Sequence, residues 1–278
     1  MSAPVRDTVV RKGGAVSAMT DGWVMAKRNL IKVKRVPDIL VFVLISPIMF
    51  VLLFAYVFGG AIDIPGDIDY KEFLVPGIFV QTVVFGATFT GYGLADDMQK
   101  GIIDRFKSLP MSQSAVLVGR TTSDVFYNII TLVIMALTGL LVGWRIREGL
   151  LDAVLGFLLL LTFAYAISWI MAYVGLLVPS VEVVNNASFI VIMPLTFVSN
   201  AFVHQDSFDG VLQTFVEWNP VSSVALACRD LFGNTGGIAA PDSWAMQNPV
   251  IYSLLWAAAI VAIFAPLSVR QYRLSTSK

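Results

Sequence analysis

Polar and aromatic side chains recur along one face of an otherwise apolar segment. Four of them follow at spacings of four, three and four positions, which places them on one face of an α-helix. They are Gln81, Phe85, Thr88 and Tyr92. Aromatic rings contact apolar surfaces while amides and hydroxyls hydrogen-bond, so this face fits the lining of a pathway for an amphipathic molecule. The alternative is helix–helix packing, in which a hydrogen bond contributes about 0.6 kcal/mol.

A second apolar segment carries a similar set of side chains. Asn185, Phe189, Thr196 and Ser199 are predicted to share a helix face, with Asn200 beside it. A polar group inside a membrane is stable only against protein or water. The two faces are therefore candidates for the same substrate pathway, or for hydrogen-bonded packing between helices.

The residue types needed for catalysis or metal binding are almost absent. The chain has one histidine, His204, and one cysteine, Cys228, and it contains no GxxxxGK[ST] phosphate-binding loop. No catalytic triad, internal disulfide or Cys/His metal cluster can be assembled from these residues. We expect a protein that is not an enzyme by itself and binds no metal or cofactor.

The composition predicts an all-α polytopic membrane protein. Of 278 residues, 57% are hydrophobic and 14% are charged, and the mean hydropathy is +0.77. A membrane-spanning helix needs about 20 mostly apolar residues, and six segments qualify. The predicted spans are residues 39–60, 73–95, 125–144, 153–178, 183–203 and 249–269, and none contains Asp, Glu, Lys or Arg.

The charges outside these spans predict their orientation. Fifteen of the 19 Lys and Arg residues precede span one, lie between spans two and three, or follow span six. The positive-inside rule therefore predicts that both termini of this multi-pass protein of the cytoplasmic (plasma) membrane are cytoplasmic. The absence of ionisable residues from the predicted spans argues against a proton antiporter, while ion coupling through backbone carbonyls and hydroxyls stays open. If the chain is an active transporter, this absence favours another polypeptide as its energy source.

The whole chain divides into four predicted parts. Residues 1–19 are predicted to be a flexible cytoplasmic N-terminus, residues 38–270 the transmembrane permease domain, and residues 271–278 a cytoplasmic tail. Residues 20–37 form an amphipathic pattern typical of a helix in the membrane interface, against the alternative of a simple topology signal. Its characteristic residues are Trp23, Lys27, Arg28 and Leu30.

Two loops are predicted to contain short helices. The stretch from Asp97 to Leu109, stopped by Pro110, is a cytoplasmic helix that either packs on its own bundle or docks into a soluble partner. Between spans five and six, VLQTFVEW and VSSVALACRDLF are apolar but too short to span a membrane. They are predicted to be re-entrant or interfacial helices, with a structured extracellular cap as the alternative.

Several blocks of the chain resemble the permease subunits of type-2 ATP-binding-cassette exporters, especially the daunorubicin-resistance type. The resemblance runs from about Trp23 to about Arg273. It is carried by KVKRVPDILVFVLISPIMFVLLFAYVFGGAI, YKEFLVPGIFVQTVVFG, DDMQKGIIDRFKSLPMS, MPLTFVSNAFV and NPVSSVALACRDLFGN. Asn200 and His204 depart from the family pattern near the expected outer gate.

This resemblance implies a fold and a set of partners. The fold has six spans, an interfacial connecting helix, a cytoplasmic coupling helix and short re-entrant helices between spans five and six. The implied partners are two ATPase subunits that bind ATP and Mg, a second permease chain (identical or a sister chain) and membrane lipid, with no nucleic acid. The ATPase-coupling positions that match the family are Asp97, Gly101, Asp104, Arg105, Phe106 and Pro110.

The predicted function is transport. The chain would be the permease subunit of an ATP-driven exporter that carries a hydrophobic or amphipathic drug, antibiotic or lipid outward and thereby confers resistance. Two alternatives from other classes are an ion-coupled secondary carrier and a membrane scaffold that transports nothing. ATP-independent, pH-dependent flux through this chain alone would favour the carrier.

Overall fold

The described part of the chain is built from helices and contains no strand. The computed structural model describes residues 37–58, 64, 68–108, 113–178, 180–238 and 242–275. The predicted interfacial helix, with Trp23, Lys27, Arg28 and Leu30, lies outside these residues, as does Pro110. The predicted all-α membrane fold is confirmed at the level of fold class.

Eleven α-helices follow one another along the described residues. They are α1 (Pro37–Leu53), α2 (Tyr70–Gly86), α3 (Thr88–Gln99), α4 (Ile102–Lys107), α5 (Gln113–Val142), α6 (Leu150–Leu177), α7 (Val181–Phe197), α8 (Val211–Trp218), α9 (Pro220–Phe232), α10 (Trp244–Gln247) and α11 (Pro249–Leu274). A π-helical turn, Phe54–Phe58, continues α1, and a 3₁₀ turn, Gln205–Ser207, follows α7.

Four described helices are long and apolar enough to cross a membrane. They are residues 70–99, which combine α2 with α3, together with α5, α6 and α11. Two shorter apolar helices, in α1 and α7, correspond to predicted spans one and five. Most of residues 70–99 are buried while few residues of α11 are, so α2 and α3 form the centre of the described bundle and α11 lies at its periphery.

The helix ends follow from local hydrogen bonding. The Asp69 carboxylate accepts a hydrogen bond from the Lys71 amide at 2.9 Å and caps α2. Between α2 and α3 the Thr88 hydroxyl donates to the Phe85 carbonyl at 2.6 Å, and the chain continues helically through Ala87. Gly101 adopts a left-handed backbone (φ 66°) before α4, which separates α4 from α3.

Helix α7 ends six residues before the end of predicted span five. Its last residue is Phe197, and residues 198–204 form turns instead of helix. The Asn219 amide donates to the carbonyls of Leu195 and Val198, at 2.8 Å each, and so satisfies carbonyl groups at this helix end. The same side chain accepts from the Val221 amide at 2.8 Å and caps α9.

Helices α8 and α9 coincide with the two short helices predicted between spans five and six. Helix α9 is buried along most of its length and packs against α2, α6 and α11. Helix α8 exposes the apolar side chains Val211, Leu212 and Phe215. Beside it, Tyr252 makes edge contacts with the rings of Trp218, Trp244 and Trp256, an aromatic cluster typical of a membrane–water interface.

Candidate functional site

A cavity of about 250 Å³ lies between α1, α2, α3, α5 and α7. Helix α1 supplies one wall with residues that include Phe50, and α5 supplies Tyr127, Asn128 and Thr131. The lining combines aromatic rings with hydroxyl and amide groups. Such a mixture fits an organic molecule with an apolar body and a few polar groups.

The predicted face on span two lines this cavity. All four of its members, Gln81, Phe85, Thr88 and Tyr92, are on the wall. Gln81 and Thr88 are buried, and they add an amide and a hydroxyl group to the wall that also carries the rings of Phe85 and Tyr92. The structure thus brings these four residues together around one space, which is the arrangement that a pathway requires.

The predicted face on span five divides into two groups. Phe189 lines the cavity and its ring meets that of Phe85 edge to face, with centroids 5.8 Å apart. Asn185 lies beside it and accepts a hydrogen bond from the Tyr92 hydroxyl at 2.7 Å. Phe189 thus joins α7 to α2, and Asn185 joins α7 to α3.

Thr196, Ser199 and Asn200 lie away from the cavity. The Thr196 hydroxyl donates to the Ile192 carbonyl at 2.8 Å, and the Ser199 hydroxyl donates to the Thr196 carbonyl at 2.5 Å. The backbone amide of Asn200 donates to the Ser222 hydroxyl of α9 at 3.0 Å. Because α7 ends at Phe197, helical spacing no longer groups Ser199 and Asn200 with Phe189.

Arg229 fixes the turns after α7 to the rest of the molecule. This side chain is buried, and its guanidinium donates to the Phe73 carbonyl at 2.9 Å, the Asn200 carbonyl at 2.8 Å and the Ala201 carbonyl at 3.1 Å. It also stacks 3.5 Å from the Phe73 ring centroid. The arginine of the NPVSSVALACRDLFGN block thus connects α9, α2 and the turns that follow α7.

A second polar cluster holds the N-terminal end of α2. The Arg147 guanidinium makes a bidentate ion pair with the Glu72 carboxylate, with both N–O distances 2.7 Å. The hydrogen bonds to Glu72, and then the attraction of its charge, raise the pKa of Arg147 above its usual value. Asn234 accepts from the Trp144 indole at 2.7 Å and donates to the Arg145 carbonyl at 2.9 Å. The loop between α5 and α6 is thereby tied to α2 and to the residues after α9.

Charged residues that the hydropathy pattern excludes from the spans lie beside the cavity. Helix α5 begins at Gln113, twelve residues before predicted span three, and it carries Arg120 and Asp124 into the bundle. The Asp124 carboxylate is buried and accepts a hydrogen bond from the Thr90 hydroxyl. One feature of the sequence could have pointed to Asp124: its spacing of four residues from Asn128, which places the two side chains one helical turn apart on the same face of α5.

Helix α4, within the predicted coupling segment, exposes two charged side chains and buries part of its apolar face. Ile103 is buried in a cluster with Leu117 and Trp169, and Phe106 packs against this cluster. Asp104 and Arg105 are exposed. Helix α4 therefore packs on its own bundle and exposes a charged surface to solvent.

The residues at the base of this segment support its position. Asp97 is buried at the end of α3. The Lys100 ammonium pairs with the Asp96 carboxylate at 2.8 Å, and this hydrogen bond and ion pair raise the pKa of Lys100. Gly101 then turns the chain into α4. The described residues contain no group of three or more His, Cys, Asp or Glu side chains placed to hold a metal ion.

The long apolar helices and the buried polar groups between them define a multi-pass helical membrane protein. The family model for ABC-2 type transporters matches residues 20–232. The chain belongs to this family of ABC transporter membrane proteins and is the permease subunit of such a transporter. The family implies a partner ATP-binding subunit.

The chain is also similar to named transport proteins. It is 38% identical over 260 residues to a daunorubicin resistance ABC transporter permease protein, DrrB1, of Streptomyces coeruleorubidus, covering 93% of this chain and 87% of the relative. It is 26% identical to a probable doxorubicin resistance ABC transporter permease protein, DrrC, of Mycobacterium tuberculosis, covering 84% and 81%. A putative transport permease, ycf38, of Cyanophora paradoxa is 24% identical, covering 77% and 74%.

Proposed function

We propose that this permease exports a hydrophobic or amphipathic drug-like molecule through the cavity between α1, α2, α3, α5 and α7. The observation that carries this proposal is the lining: predicted pathway residues from two separate segments, including Phe85 and Phe189, face one space of about 250 Å³. The names of the relatives, which concern daunorubicin and doxorubicin resistance, support a drug as the substrate.

The energy for export would come from a separate ATPase that binds and hydrolyses ATP with Mg. Two copies of this ATPase would serve two permease chains, identical or paired with a sister chain. Both termini and α4 would face the cytoplasm, as the distribution of Lys and Arg indicates. The exposed charges of Asp104 and Arg105 support α4 as the ATPase contact, together with the predicted interfacial helix and Pro110.

Arg105→Ala tests this coupling role. The side chain is exposed, so its removal should leave insertion and folding intact while it weakens ATPase binding. Arg273→Ala is the matched control, because Arg273 is an exposed arginine at the end of α11. Phe106→Ala is less informative on its own, since Phe106 also packs against the permease's own core.

The measurement combines co-purification with transport. Tagged permease would be purified from its host in mild detergent with the co-expressed ATPase, and doxorubicin uptake into inside-out proteoliposomes would be followed with and without ATP. We expect ATP-dependent uptake by wild type and Arg273→Ala, and little by Arg105→Ala. Wild-type uptake by Arg105→Ala would reject the coupling role, and absence of ATP-dependent uptake in wild type would reject the exporter.

One observation favours the ion-coupled alternative. A buried carboxylate inside a membrane bundle is a common element of proton and ion pathways, and Asp124 is such a group. Under this alternative the permease alone, without ATPase, would move doxorubicin in response to a pH gradient. The same proteoliposomes, loaded to give that gradient and supplied with no ATP, distinguish the two mechanisms.

A further inference from the structure

An acidic side chain lies next to the cavity on α5. Asp124 is 6% exposed, and Tyr127 and Asn128, three and four residues further along the helix, line the cavity. Residues three and four apart lie on the same helix face, so the carboxylate is one turn from the cavity wall, on the side of α4. Asn128 also donates its side-chain amide to the Asp124 carbonyl at 2.8 Å.

The Asp124 carboxylate has a hydrogen bond but no ion pair. Its donor is the Thr90 hydroxyl of α3. Among the described residues, the ion pairs within 4.0 Å join other groups. Arg120, one turn away, donates instead to the Phe89 carbonyl at 2.6 Å. Arg120 is close enough to attract the Asp124 carboxylate, but it makes no direct ion pair with it, so the carboxylate has only the Thr90 hydroxyl as a direct donor and can accept a further hydrogen bond from a cation.

A second polar group at the same place lacks a partner. The Tyr127 hydroxyl is buried and makes no hydrogen bond, although its side chain lines the cavity. The rings of Tyr127 and Phe89 lie with centroids 5.6 Å apart, and those of Phe89 and Tyr92 5.7 Å apart. Aromatic faces attract cations, and the hydroxyl accepts a hydrogen bond, so all these groups favour a positively charged hydrogen-bond donor.

We propose that Asp124, assisted by Tyr127, recognises the protonated amine of an amphipathic cargo in this cavity. The inference rests on the proposed function and specifies its substrate class. The apolar rings would hold the body of the molecule, while the carboxylate holds its ammonium group. A small metal cation fits less well, because hard cations require about six or more oxygen ligands and the site offers few.

A pair of probes that differ in one charge tests the proposal. Doxorubicin carries a protonated amine, and its N-acetyl derivative replaces that amine with a neutral amide. Binding to the full chain would be followed by drug fluorescence anisotropy in nanodiscs of phosphatidylcholine, whose zero net charge avoids attraction of the cation to the lipid. We expect wild type to bind doxorubicin at least about tenfold more tightly than the N-acetyl derivative.

Variants locate the origin of that preference. Asp124→Asn keeps the size of the side chain and an acceptor for Thr90, and it should reduce doxorubicin affinity to the level of the N-acetyl derivative while leaving the latter unchanged. Asp124→Glu should retain the preference. Asp152→Asn is the control, since it removes an acidic charge at the start of α6. It should leave both affinities unchanged.

The outcomes separate this inference from the proposed function. Equal binding of the two probes to wild type, or an equal loss of both in Asp124→Asn, would overturn the amine site and leave drug export standing. An equal effect of Asp152→Asn would also overturn it, because the preference would then reflect long-range charge. Failure of wild type to bind either probe would contradict both. The wild-type comparison requires no variant to fold.

Discussion

The interactions of Arg229 predict that replacing it with an uncharged side chain greatly lowers the free energy of unfolding. Its guanidinium donates to the carbonyls of Phe73, Asn200 and Ala201 and is shielded from water. Methionine is an unbranched, uncharged side chain of similar length, so Arg229→Met removes the hydrogen-bond donors with little change in volume. The carbonyls of Asn200 and Ala201, which belong to turns, would then have to remain buried without these donors.

The magnitude follows from the two carbonyl groups. Each buried acceptor without a donor costs about 1 to 3 kcal/mol, and removing a buried charge offsets part of the sum. We therefore expect the free energy of unfolding to fall by about 3 kcal/mol. For a chain of this size, about 2 to 4 °C per kcal/mol gives a decrease of about 6 to 12 °C in the unfolding midpoint.

The assay compares wild type, Arg229→Met and Arg145→Met in identical lipid nanodiscs at one heating rate. Arg145 is the matched control, because its guanidinium also donates to two carbonyls, of Leu140 at 2.6 Å and Trp144 at 2.8 Å, but it is exposed. Water replaces the lost donor there, so its midpoint should change by less than about 2 °C.

Two results would refute this reasoning. A midpoint for Arg229→Met within about 2 °C of wild type would mean that the carbonyls find other donors. An equal decrease in Arg145→Met would mean that burial does not determine the cost. Either result would mean that the hydrogen bonds of Arg229 do not stabilise the contact between α9, α2 and the turns after α7.

Two further predictions concern the same end of the molecule. A Cβ at Gly77 would lie 1.8 Å from the Ala201 carbonyl oxygen, so Gly77→Ala should separate α2 from these turns and lower the unfolding midpoint by several degrees. Gly149→Ala is the control, because the nearest contact of its Cβ would be at 3.3 Å and its midpoint should not fall. An equal decrease in both variants would contradict the argument. Burial lowers the pKa of His204 below its usual 6.5, so the unfolded chain takes up a proton first and stability declines as the pH falls below about 6.5. His204→Asn should therefore lose less stability than wild type between about pH 7.5 and about pH 5.5, measured as the change in midpoint, and an unchanged pH dependence would contradict this prediction.

The sequence is sufficient to predict the helical membrane class and much of the cavity wall. Long uncharged segments and a regular helical spacing determine both, which is why the spacing alone groups Gln81 with Tyr92. Phe189 is predicted in the same way, because α7 is regular up to Phe197. The helical periodicity of a sequence describes which residues share one face of a single helix, and these predictions require nothing more.

The features that the sequence does not predict depend on contacts between distant segments. The early end of α7 is associated with Asn219, which is 24 residues away from Leu195 in the chain. The burial of Asp124 depends on α3, since Thr90 supplies its hydrogen bond. A hydropathy criterion that excludes charged residues places the start of span three at residue 125. It therefore leaves Asp124 outside the span by one position.

The continuity of α2 and α3 has a mechanical consequence. Thirty residues of helix make a rod about 45 Å long, with the Glu72 ion pair near one end, the cavity wall in the middle and Gly101 just beyond the other end. A tilt of about 10° around the level of the cavity would carry each end through about 4 Å, and in opposite directions. Because the two ends of a rigid rod move in opposite directions when it tilts about its middle, a push at one end of the α2–α3 rod would become a pull at the other end.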